Sequence, residues 1–204
     1  MRVLMTGLLC CLPVLASAGA VEALVERLEA LKSMEGRFEQ RTEQDGSRVQ
    51  QARGTMVVAR PNRFRWQTTE PFEQLVVSDG DQVWVHDPGL QQVVIRPLDD
   101  QISKTPALLF GGRPETVGES FQVERVNGDK GQVIYRLKPR DEEPLFSHLE
   151  VAFDGKKPVS MRLKDALGQR TRIEFRDLQL NTEPGSKPFS FEPPEGADVI
   201  RQQR

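Results

Sequence analysis

From Phe38 to Leu180 the hydrophobicity alternates with a period of two, in short runs broken by turn residues. That period belongs to β-strands, whose side chains point in turn to opposite faces of a sheet. The runs lie near 37–44, 49–60, 62–69, 73–78, 82–87, 91–96, 119–126, 132–139, 146–154, 157–164 and 169–180, and they are rich in Val, Ile, Phe and Thr. Between them, Gln44-Asp45-Gly46, Ser78-Asp79-Gly80, Asn127-Gly128-Asp129, Phe153-Asp154-Gly155 and Ala166-Leu167-Gly168 supply Gly or Asn where the chain reverses. Strands joined in this way form hairpins, and a meander is the economical topology.

Parity within the runs separates a greasy face from a wet one. Met56 with Val58, Phe64 with Trp66, Leu75 with Val77, Tyr135 with Leu137, Val151 with Phe153 and Ile173 with Phe175 each share a face, and the residues between them are mostly polar. A sheet this wide must cover its apolar face or close on itself, because large exposed apolar patches are uncommon on monomers.

Little helical material is available as cover. Val21, Leu24, Val25, Leu28, Leu31 and Met34 recur at spacings of three and four, which predicts an amphipathic helix that Gly36 stops. The interruption at 97–118 supplies the rest. Pro97 ends a strand, and Ile102, Ala107, Leu108, Leu109 and Phe110 make a short apolar helical stretch around Thr105-Pro106 before Gly111-Gly112 ends it. Two such pieces roof a curved sheet less tightly than a second sheet would, and an apolar pocket is expected beneath them.

The first eighteen residues read as a secretory signal: Arg2 for charge, an apolar run from Val3 to Leu15, then Ala16-Ser17-Ala18 for cleavage. That run is shorter than the roughly 20 residues that cross a bilayer. Residues 19–204 are expected to form one domain. Cys10 and Cys11 both fall in the leader, so the remainder holds no thiol. Leu8-Leu9 ahead of Cys10 fits a lipidation signal poorly.

Charge and histidine content argue against other classes. With 28 basic and 30 acidic residues of mixed sign, nothing in the chain attracts nucleic acid strongly, and alternation separates Arg65 from Phe64 and Trp66. The two histidines, His86 and His148, belong to no spaced metal motif, and Ser78-Asp79-Gly80 is a hairpin turn without a nucleophile elbow. Carboxylate pairs such as Asp99-Asp100 and Glu142-Glu143 sit in polar loops. Neither a catalytic group, a metal site nor a cofactor is expected.

Several blocks in order carry a family resemblance: Arg60-Pro61-Asn62-Arg63-Phe64-Arg65-Trp66, then Pro71, Leu75-Val76-Val77-Ser78-Asp79-Gly80, Val83-Trp84-Val85-His86-Asp87-Pro88 and Gln92-Val93. Thr105-Pro106, Leu137-Lys138-Pro139, Asp165 with Gln169, and Phe189-Ser190-Phe191-Glu192-Pro193-Pro194-Glu195-Gly196-Ala197-Asp198-Val199-Ile200 follow. Together they resemble the LolA family of periplasmic outer-membrane lipoprotein carriers.

The resemblance implies a mostly β fold: an incomplete, half-open antiparallel barrel with a helical lid over a hydrophobic cavity. It implies a monomeric periplasmic chaperone that takes lipoproteins from an inner-membrane lipoprotein-releasing ABC transporter (LolCDE-like) and passes them to the outer-membrane receptor LolB, without bond chemistry. The acyl-chain cavity is expected at Phe38, Met56, Val58, Phe64, Trp66, Leu75 and Val77. Arg60 matches an arginine that bonds the lid backbone, which places its partners near Leu28 and around Phe110. Leu24, Leu28, Leu31, Leu108, Leu109 and Phe110 complete the lid. By residue chemistry alone Arg60 is more readily a solvated arginine at a strand end, and it is the resemblance that favours the lid contact. The lid departs from the family pattern in a smaller Ala107 and a larger Phe110. A LolB-like receptor or a lipoprotein-sensing domain of the same fold is the alternative.

Overall fold

A computed structural model describes residues 14–44, 48–98, 109–141, 144 and 146–202. Helix α1 (Val14–Glu29) precedes eleven antiparallel strands: β1 (Ser33–Gln44), β2 (Arg48–Ala59), β3 (Arg63–Glu70), β4 (Gln74–Asp79), β5 (Gln82–Asp87), β6 (Gln92–Pro97), β7 (Phe121–Asn127), β8 (Val133–Pro139), β9 (Phe146–Asp154), β10 (Lys157–Asp165) and β11 (Arg170–Leu180). A twelfth strand, β12 (Asp198–Arg201), was not anticipated from the sequence; it runs parallel to β6. The sheet order β12-β6-β5-β4-β3-β2-β1-β11-β10-β9-β8-β7 joins two meanders through the β1–β11 pair, and β12 and β7 are left as edges. The barrel is therefore open.

Register sets the inner face. Met34, Val58, Phe64, Ser78, Val83 and Arg96 are consecutive partners across six strands, and Met56, Trp66, Val76, Val85 and Val94 form the next row. On the other wall Tyr135 pairs with Val151, Val151 with Met161, and Met161 with Ile173. Helix α1 covers this face beside β7, with Leu24 and Leu28 wholly buried. Among the described residues, no helix is long and apolar enough to cross a membrane.

Two expectations need correction. The early helix ends at Glu29, well before Gly36, which lies inside β1 where the pairing with β11 slips by a residue. A Cβ on Gly36 would stand 2.8 Å from the Arg176 carbonyl oxygen, so this glycine permits a close strand approach instead of ending a helix. Leu31 and Met34 still point into the core, Met34 from an extended backbone paired with Val58.

The second correction concerns Leu75 and Val77. Because Val76 sits in the inner row between Trp66 and Val85, its neighbours face the other side. There Leu75 adjoins Gln67 and His86, and Val77 adjoins Arg65 and Trp84. A short turn at Lys187–Phe189 packs over β3 and β4 on that rear face, burying Phe189 under Arg63, whose Cζ is 5.1 Å from the ring centroid. Phe191 lies against His86, with ring centroids 5.4 Å apart. This half of the sheet is buried on both faces, which defeats counting by parity in the Leu75-Val76-Val77 run.

Candidate functional site: an apolar cavity under an arginine latch

Between the inner face and its cover lies a cavity of about 320 Å³. Met56, Val58, Phe64 and Trp66, expected from the sequence in the cavity, and Phe110, expected in the lid, line it together with Met34, Val76, Val83, Met161, Leu163, Ile173 and Phe175. Phe38 stands beside it, stacked on Trp66 with centroids 4.1 Å apart. Leu75 and Val77 face away, and Leu108, like most of the expected 102–110 lid stretch, lies outside the described residues. Phe110 closes the cavity by an edge-on contact with Phe175, centroids 5.7 Å apart, and Leu109 packs against the same core.

The missed lining residues carried a signal. Ile173 and Phe175 share a parity, and so do Met161 and Leu163, but β10 and β11 become cavity wall only once β11 pairs with β1. That pairing joins residues far apart in sequence and has no local mark.

A larger groove of about 940 Å³ is lined mainly by charged side chains, among them Arg41, Arg53, Glu150, Arg162 and Arg172. Burying such charges under lipid is unfavourable. The smaller cavity is the one with a mainly apolar lining.

Arg60 ties the cover down. It sits at the corner between β2 and β3. Its Nε donates to the Leu31 carbonyl at 2.9 Å and one Nη to the Leu28 carbonyl at 3.0 Å, while the other Nη donates to the Gly112 carbonyl. Backbone bonds reinforce the corner: Arg60 N donates to Lys32 O at 3.0 Å and Asn62 N to Gly111 O at 2.8 Å. One side chain thus holds both the end of α1 and the 111–112 segment. Burial pulls the Arg60 pKa below the ordinary arginine value, and Glu115 and Glu29 oppose that shift. The guanidinium remains a cation and satisfies carbonyls that α1 leaves open at its C-terminal end.

A second arginine, absent from the sequence-based set, anchors α1 to the opposite wall. Arg27 Nε donates to the Tyr135 hydroxyl at 3.0 Å, and an Nη donates to the Gly155 carbonyl. Its Cζ lies 5.9 Å from the Tyr135 ring centroid and 5.6 Å from that of Phe153. Tyr135 is the chain's one tyrosine and is fully buried, and among the described residues Arg27 is the partner of its hydroxyl. Arg27→Met should therefore lower stability by about 2 kcal/mol, and adding Tyr135→Phe should cost less than it does alone, because no orphaned hydroxyl is then left. Denaturant titration of the two single variants and the double variant measures the coupling; strict additivity would show that the pair does not interact.

Residues 29–192 match the family described as outer membrane lipoprotein carrier protein LolA. This chain belongs to the LolA family. It is similar to the outer-membrane lipoprotein carrier protein of Alcanivorax borkumensis, 50% identical over 91% of this chain and 89% of the relative. The protein of that name from Chromohalobacter salexigens is 39% identical over 92% and 89% of the two chains. Among solved structures, MucB superposes with a TM-score of 0.53 at 20% identity, covering 90% of this chain and 66% of MucB. An uncharacterized conserved protein of Thermus thermophilus does so at 0.53 and 16%, covering 91% and 99%. These two likenesses establish the fold. The LolA half-barrel here is the twelve-stranded open sheet, and its cover is α1 with the 109–120 segment, which ends in a single helical turn at Val117–Ser120. Among the described residues no group of three or more His, Cys, Asp or Glu is placed to hold a metal ion.

Proposed function

We propose that this LolA-family protein carries lipoproteins across the periplasm with their acyl chains against the inner face of the sheet. It acts as a monomer once residues 1–18 are removed, receives cargo from an inner-membrane lipoprotein-releasing ABC transporter, and delivers it to the outer-membrane receptor LolB. It does no bond chemistry. The observation that supports this reading is an apolar cavity roofed by elements that one arginine holds shut.

Each methylene removed from water contributes about 0.8 kcal/mol, so a lipid-modified protein does not cross an aqueous compartment unaided. The cavity is at the small end of ligand pockets, and a diacylglyceryl group enters only as the cover moves. An arginine latch on backbone carbonyls suits that demand, because its bonds reform without leaving a charge in hydrocarbon.

The direct test adds purified protein to spheroplasts making labelled lipoprotein. The expected result is a water-soluble complex of carrier and cargo in the supernatant. Labelled lipoprotein that stays wholly with the membrane fraction would reject the proposal.

A further inference from the structure

Among the described residues, one buried donor of the cavity lining has no acceptor. The inner row that begins at Met34 and passes through Val58, Phe64, Ser78 and Val83 ends on Arg96 of β6. Arg96 lines the apolar cavity beside these side chains and Phe110. Its Nε is buried, and among the described residues it meets no hydrogen-bond partner. The other polar lining groups differ from it. Gln40 Nε2 donates to Thr42 Oγ1 at 3.4 Å, and Thr42 Oγ1 is 3.2 Å from Thr171 Oγ1.

A guanidinium has five donors, no acceptor, and does not lose its charge in proteins. Leaving a buried N–H unpaired is unfavourable by an amount comparable to a hydrogen bond, and more so for a charged group. An arginine in this setting calls for a ligand that brings acceptor oxygens into an otherwise greasy space. Acyl ligands of the proposed cargo carry them at one end only, as the ester carbonyls of the diacylglyceryl group and the amide carbonyl of an N-acyl chain. The planar fork matches two neighbouring carbonyls. A neutral acceptor also suits a carrier that must discharge, because ionic pairs with Arg are stronger.

We propose that Arg96 receives the ester carbonyl oxygens of the cargo's diacylglyceryl group, fixing the polar end of the lipid at β6 while the chains lie along Phe64 and Trp66. This rests on the carrier reading above. It makes Arg96 a binding residue distinct from the Arg60 latch: Arg60 bonds the protein's own backbone, and Arg96 bonds the lipid.

The test uses two fluorescent lipopeptides that differ only in having ester-linked or ether-linked chains on the glyceryl group. Wild-type protein is expected to bind the ester form about tenfold more tightly, the worth of a hydrogen bond to a charged donor. Arg96→Met should bind both forms alike, near the wild-type affinity for the ether. Arg96→Lys, which keeps the charge and loses the fork, should retain a smaller preference. The comparison is internal to each protein, so impaired folding cannot imitate it. Equal binding of the two forms by wild type, or an undiminished ester preference in Arg96→Met, overturns the assignment while leaving the carrier reading intact. Failure of wild type to bind either form overturns both.

Discussion

Arg60→Leu is expected to bind a triacylated lipopeptide at least about tenfold more tightly than wild type and to surrender it more slowly. The reasoning is thermodynamic. On the latch proposal cargo binds the open protein, so its apparent affinity is the intrinsic affinity scaled by the fraction that is open. The three carbonyl bonds from Arg60 to Leu28, Leu31 and Gly112 belong to the closed state. Hydrogen bonds to charged groups are worth about 1.5–3 kcal/mol each, and losing even one such increment shifts the open fraction about tenfold. Removing the latch therefore strengthens capture and weakens release. Fluorescence titration with the lipopeptide gives the affinity, and its transfer to an acceptor gives the release rate. A lower affinity in Arg60→Leu would mean that Arg60 forms part of the binding wall, and the latch would have to be abandoned.

Gly54→Ala should lower stability by about 3 kcal/mol, a fall in Tm of roughly 6–12 °C for a chain of this size. Gly54 is buried in β2 opposite Phe38, where the pairing with β3 slips by a residue. A Cβ there would lie 1.9 Å from the Gln67 carbonyl oxygen and 2.9 Å from the Thr68 Cα. Both are backbone atoms, so no rotamer change relieves the contact, and β3 must part from β2. This tight fold is also what brings Trp66 of β3 over to Phe38 of β1. The tryptophan near-ultraviolet signal should weaken along with the melting temperature. Gly155→Ala is the control: its φ of +56° disfavours alanine, but nothing stands within 4 Å of the added carbon. The penalty there should be about 1 kcal/mol. Equal losses at the two positions would show that the backbone approach at Gly54 does not matter.

Much of the fold was legible because a one-sided sheet writes its geometry into every second residue. The inward set Met56, Val58, Phe64 and Trp66 follows from parity and lines the cavity. Parity failed at Leu75 and Val77 for a physical reason: β4 is covered on both faces, so apolar residues are consecutive and the inner one, Val76, is marked only by its pairing with Trp66 and Val85. The helical spacing carried through Leu31 and Met34 even though α1 had ended, because both residues still face the core from other backbone shapes. Strand β12 has no alternation to read; its four residues are all exposed, and pairing with β6 holds it. Arg27 and Arg96 were invisible for a different reason. Each is defined by what stands opposite it in space, a buried hydroxyl in one case and a greasy cavity in the other.

The rear cover over Leu75 and Val77 gives the barrel walls of unequal stiffness. Strands β3–β6 are clamped on one side by the cavity core and on the other by Phe189 and Phe191, like a spar laminated on both faces. On the wall formed by β8–β11 the rear face carries half-exposed pairs such as Arg136–Glu150, Arg162–Glu150 and Arg172–Glu174, each contributing about 1 kcal/mol. A bulky load is then expected to displace the wall of β8–β11 more than that of β3–β6, which would keep Phe64, Trp66 and the Arg60 corner in register.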